Sequence, residues 1–88
     1  MFRLWGKIVR DNHLIRDQVI ENGNYAMSRT AMVLDALDQL CYAFDLGHPV
    51  WLDKTVEEFK RHDRARFTQD HFIEPIDFDY LEIQVLEE

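Results

Sequence analysis

A two-layer α+β fold is predicted, an antiparallel sheet in the order ββααββ with two helices on one face. Three observations predict it. Both ends of the chain alternate apolar and polar residues, as strands with one wet face do. The middle carries apolar residues at spacings of three and four, as helices do. The 88 residues are 47% hydrophobic with a single cysteine, enough for one thin core and no internal disulfide. Residues 1–88 therefore read as a single domain.

Phe2 to Glu21 is predicted as a β-hairpin. Asp11-Asn12 tolerates positive φ and forms its two-residue turn. That register sets Ile8 opposite Ile15 and Leu4 opposite Val19, so Phe2, Leu4, Ile8, Ile15 and Val19 share a face. Arg3, Trp5, Lys7, Arg16 and Gln18 take the polar face, with Lys7 opposite Arg16. Asn22-Gly23-Asn24 turns the chain into a long helix from Tyr25 to Leu46. Its stripe is Met27, Ala31, Leu34, Leu37, Cys41 and Phe44, widened by Val33 and Leu40; Gly47 fits the C′ position and Pro49 stops the helix.

A connector, Val50-Trp51-Leu52, leads to a second helix from Lys54 to Asp63. Thr55 and Glu58 have capping-box spacing there, and Asp53 competes as N-cap. Ala65 to Thr68 is a short strand, Gln69-Asp70 a turn, and Phe78 to Leu86 the last strand. Apolar parity flips at Tyr80-Leu81, which predicts a bulge or a bend.

Charge is lopsided. Seven acids and no Lys or Arg lie between Asp70 and Glu88, so the net charge of −7 is confined to that end. Acids on an exposed edge strand guard against edge-to-edge pairing, and the basic segment just before them offers an internal partner. The second helix obeys the helix dipole, with Glu57 and Glu58 early and Lys60, Arg61 and His62 late. The first opposes it, with Arg29 early and Asp38 and Asp45 late. Asp35, Asp38, Tyr42 and Asp45 line one face at spacings of three and four. They form either a solvated face or a stripe that meets Arg10, Arg16 or the 60–66 segment, in this chain or a second copy.

Lys60, Arg61, Arg64 and Arg66 form a basic patch between Phe59 and Phe67. It reads as an RNA contact or as the internal partner of the acidic strand. A pI near 4.9 favours the second and argues against a nucleic-acid partner. Asp70, His71 and Glu74, with His13, His48 and His62, lack the spacing of a metal motif, so no metal and no cofactor are expected. Asp77 and Asp79, with Glu82 nearby, could take Mg²⁺ or Ca²⁺, but the edge-guard reading is cheaper. Arg66, Asp70 and His71 are the best catalytic trio on offer, as base and anion stabiliser of a small nuclease or phosphodiesterase. Cys41 lies on the core stripe and reads as an inert thiol. Trp5 on the polar hairpin face reads as an interface anchor, and Trp51 as a core cap or an anchor.

The stretches Phe44-Asp45-Leu46, Pro49-Val50-Trp51-Leu52, Arg66-Phe67, Asp70 to Glu74 and Phe78 to Ile83 resemble small uncharacterised bacterial proteins of similar length. The resemblance implies a small cytosolic bacterial domain and brings no activity. No run approaches a membrane span, no apolar signal core follows Arg3 and Lys7, and one cysteine suits a reducing, cytoplasmic setting. The expected function is protein interaction rather than catalysis. A homodimer is the expected form, or else a contact with another protein, with Trp5, Asp38, Asp45 and Tyr80 as interface residues.

Overall fold

The computed structural model describes residues 1–88. It comprises β1 (Phe2–Arg10), β2 (His13–Asn22), α1 (Arg29–Phe44), α2 (Asp53–His62), β3 (Arg64–Phe67), one 3₁₀ turn (Gln69–His71) and β4 (Tyr80–Glu87). The strands form one antiparallel sheet in the order β2-β1-β4-β3. The predicted α+β architecture and the ββααββ order are therefore what the chain adopts.

Asp11 and Asn12 adopt φ of 53° and 64°, the left-handed pair that a tight hairpin turn requires. The Asp79 carboxylate, arriving from the far end of the chain, accepts a hydrogen bond from the Asp11 N–H at 2.9 Å. Beyond the turn the register departs from expectation. Val9 pairs with Leu14 and Ile8 with Arg16, so Ile15 is the extra residue of a bulge. Leu4 then faces Ile20 rather than Val19, and Lys7 faces Asp17 rather than Arg16. A one-residue slip exchanges the two faces of a strand. Arg16, Gln18 and Ile20 move to the helix side, and Val19 moves to the Trp5 side. The slip replaces a like-charge pair by Lys7 opposite Asp17 and Arg3 opposite Glu21. It also lets Arg16 lie over the Phe44 ring and donate to the Ala43 carbonyl at 3.0 Å.

α1 begins at Arg29, not Tyr25. The Asn22 and Asn24 side chains accept from the N–H groups of Asn24 and Ala26, holding turns that compete with helix. Ser28 then caps the helix by accepting from the Ala31 N–H at 3.1 Å. The buried stripe is Met32, Val33, Ala36, Leu37, Leu40, Cys41 and Phe44. Leu34, expected inside, is 47% exposed. The helix ends one turn before Gly47. Asp45 takes the left-handed position at φ 56°, and Leu46 and Asp45 donate to the Cys41 and Tyr42 carbonyls in a Schellman motif.

In α2 the capping role expected of Thr55 is absent. Leu52 is the N-cap and makes no side-chain bond, while Thr55 is buried and points at His71. The last strand also corrects an expectation. β4 is interior, between β1 and β3, so Glu82 guards no edge, and Asp77 and Asp79 lie in the loop before the strand. The parity flip is the start of the strand itself. Phe72 and Phe78 lie in the loop before it, edge to face at 6.0 Å, and close one end of the core. Trp51 caps the core near the other layer, edge to face with Phe59 and Phe67. No helix is long and apolar enough to cross a membrane.

Candidate functional site

β1 alternates buried Phe2, Leu4, Gly6 and Ile8 with half-buried Arg3, Trp5, Lys7 and Val9. The buried set faces the helices, where Leu40 covers Gly6. The half-buried set faces away from them, on a sheet surface that no helix covers. Register assembles a connected row on that open face. Lys7 lies opposite Glu82 on β4, and Glu82 opposite Arg66 on β3. Lys7 Nζ is 2.6 Å and Arg66 Nε 2.9 Å from the two Glu82 oxygens. Aromatic rings flank both cations: Lys7 lies over Trp5 at 4.1 Å and Arg66 over Tyr80 at 4.5 Å. The Trp5 indole N–H donates to Asp17 at 2.9 Å, and Lys7 donates to Gln84 at 3.3 Å. The row thus reads Trp5, Lys7, Glu82, Arg66, Tyr80.

Glu82 is only 7% exposed, an unusual place for a carboxylate. Burial pushes its pKa up, but the hydrogen bonds from Lys7 and Arg66 outweigh it and leave the carboxyl below its ordinary 4.5. The charge is therefore held in place between two cations. The sequence sets Trp5 and Lys7 on one hairpin face and singles out Tyr80, Arg66 and Glu82 separately, but it does not bring Lys7 to Glu82. The missing signal is the β1–β4 pairing, which no local pattern contains.

The other expected interface residues lie elsewhere. Asp38 is on α1 and Asp45 is the residue that closes it. Asp38 meets His48 at 3.2 Å, Asp35 accepts from Gln39, and Asp45 has no ion-pair partner. The stripe therefore does not meet Arg10 or Arg16, which serve the Asp77 and Ala43 carbonyls. Arg29 answers its own misplacement by pairing with Asp63 and Glu88. Of the basic patch, Arg66 alone pairs with the acidic strand; Lys60, Arg61 and Arg64 are exposed without an ion pair.

The proposed trio does not converge. His71 is 2% exposed on the helix side, with its ring edge to face on Phe67. Its Nδ1 accepts from the Thr68 N–H at 3.0 Å, which leaves Nε2–H to donate to Thr55 Oγ1 at 2.6 Å. Burial lowers its pKa below the ordinary 6.5, so the ring is held neutral with both nitrogens occupied. Arg66 points to the opposite face of the sheet, and Asp70 is exposed. No group of three or more His, Cys, Asp or Glu comes together as a metal site would require. Cys41 is fully buried and its thiol is pushed up to about 11, chiefly by burial, so it is inert as a nucleophile at neutral pH. In comparisons with protein-family models, curated proteins and solved structures, nothing matches this chain.

Proposed function

We propose that this chain is a non-enzymatic protein-interaction domain that forms a homodimer through the open face of its sheet. The observation that carries the reading is the ordered row of Trp5, Lys7, Glu82, Arg66 and Tyr80 on a face with no covering layer. Trp, Tyr and Arg are the side chains that dominate interface energetics. Their mutual stacking already fixes their rotamers, so little side-chain entropy is left to lose on association. The face also carries both signs of charge, which suits a two-fold contact that pairs a surface with itself. A single buried thiol fits a reducing cytoplasm, and the resemblance noted above favours a bacterial one.

Sedimentation velocity at micromolar concentration tests the reading. A dimer is expected, with Trp5→Ala and Tyr80→Ala each driving it to monomer while the fold is kept. A wild-type monomer under those conditions overturns it. The alternative of a nuclease or phosphodiesterase built on Arg66, Asp70 and His71 has less support, because the three groups face different surroundings. An RNA contact through residues 60–66 is supported by three unpaired cations and opposed by the net charge of −7.

A further inference from the structure

At the end of the molecule where the hairpin turns and α1 stops, the two layers part into an open groove of about 800 Å³. Its floor is apolar, formed by Ile8, Phe44, Phe72 and Phe78. Its rim is apolar too at Ile15, 41% exposed, and at Ile73, 92% exposed. Three carboxylates stand around that floor: Asp45 at the end of α1, and Glu74 and Asp77 on the loop before β4, with the Glu74 carboxyl beside Gly47. None takes part in an ion pair. The groove's own cations, Arg16 and His48, pair with none of these three carboxylates. Arg16 lies over Phe44 and donates to the Ala43 carbonyl, and His48 meets Asp38.

We infer that this groove docks a peptide segment of a partner protein, one with a bulky apolar anchor flanked by Lys or Arg. The anchor follows from the apolar floor, in a groove whose volume lies in the range of ligand-binding clefts (about 300–1,000 Å³). The flanking cations follow from the three carboxylates around the floor, which take part in no ion pair. An acidic or phosphorylated segment would meet three carboxylates against the one guanidinium of Arg16 and be disfavoured. The groove lies between the layers rather than on the open sheet face, so it stays accessible in the proposed dimer. Its failure would leave that dimer untouched.

The probe is a fluorescein-labelled hexapeptide, Lys-Lys-Leu-Phe-Lys-Lys, followed by fluorescence anisotropy. Two comparison peptides replace Leu-Phe by Ser-Ser or all Lys by Glu. One protein variant neutralises the groove (Asp45→Asn, Glu74→Gln, Asp77→Asn). A second removes the same charge from exposed sites away from it (Asp53→Asn, Glu57→Gln, Asp70→Asn). Saturable binding of the Lys-Leu-Phe peptide is expected, weakened roughly tenfold in the groove variant and little changed in the remote variant. Both comparison peptides are expected to bind far more weakly. Equal loss in the two variants, or no saturable binding to the wild type, overturns the inference. A smaller assembly in the groove variant alone assigns the groove to a second copy and overturns it as well. Thermal melts of both variants confirm that each is folded.

Discussion

The two faces of the sheet solve burial differently. The helix side is held by shape. Leu4, Gly6, Ile8, Ala65, Phe67, Leu81 and Ile83 are nearly inaccessible, and no ion pair occurs among them. The open side is held by pairing. Lys7 and Glu82 are almost as hidden, with side chains 15% and 9% exposed, yet they are charged and are covered by aromatic and guanidinium groups rather than by a second layer. One face therefore tolerates no change of volume, and the other no loss of a partner. Substitutions that cross this distinction should show which force dominates on each side.

The largest effect is expected on the shape-held face. A Cβ on Gly6 would lie 2.7 Å from both Leu40 methyls. Leu40 is fully buried and has no solvent to swing into, so the clash must be taken up by the packing. Gly6→Val is expected to destabilise the protein by about 2–3 kcal/mol, although valine is the better strand former. Leu40→Ala alone should cost about 2–5 kcal/mol through the cavity it leaves. The double variant should be more stable than the sum of the two, since each change accommodates the other. Urea denaturation of the four proteins measures this directly. Simple additivity would show that shape does not govern this face.

A smaller effect is expected on the paired face. Glu82→Gln leaves Lys7 without its counter-charge. It should cost about 1–3 kcal/mol, less than the loss of a fully buried pair, because Arg66 is largely solvated and the amide oxygen still accepts one hydrogen bond. pH separates this site from His71 on the helix side. His71 is held below 6.5 in the fold. Above pH 6.5 both folded and unfolded chains leave it neutral. As pH falls, the unfolded chain takes up the proton first, so stability declines from about pH 6.5 downward. Glu82 is held below 4.5, so its contribution is complete above that pH and is lost only at more acid values. Wild-type stability should therefore fall in two stages on acidification. Glu82→Gln should lack the lower stage and keep the upper. Loss of the upper stage in that variant would refute the assignment of these two sites.

Local chemistry was legible and long-range pairing was not. Asp11-Asn12 announces its turn because few residue pairs tolerate positive φ twice in succession. Leu81, Ile83 and Val85 announce their strand by alternation. The bulge at Ile15 is different, because Ile15 and Arg16 suit either register until Asp17, Glu21 and the end of α1 are present to choose. Periodicity does not mark the start of α1, because Asn22 and Asn24 commit their side chains to turns ahead of it. Thr55 has the sequence look of a cap, yet its partner is His71, sixteen residues away. The open-face row is the extreme case, since Lys7 and Glu82 meet only because β1 and β4 pair from opposite ends of the chain.

The smallest expected effect lies on neither face and so calibrates the other two. Asp45 closes α1 in the left-handed conformation at φ 56°, where a side chain with a Cβ is strained and glycine is not. Its negative charge also stands at the helix C-terminus, the negative end of the dipole, and no cation lies in contact with it. Both terms act in the same direction. Asp45→Gly relieves them together and loses only some unfolded-state restriction, so a net stabilisation of about 0.5–1 kcal/mol is expected. Asp45→Asn removes the charge and keeps the side chain, and should give a smaller part of that gain. Both variants should leave the oligomeric state unchanged, because Asp45 is remote from the open sheet face. The ratio of the two gains divides backbone strain from electrostatics at this one residue. A destabilised Asp45→Asn would show instead that the carboxylate has a partner in solution, which would return the acidic stripe of α1 to the list of contacts that hold a second copy.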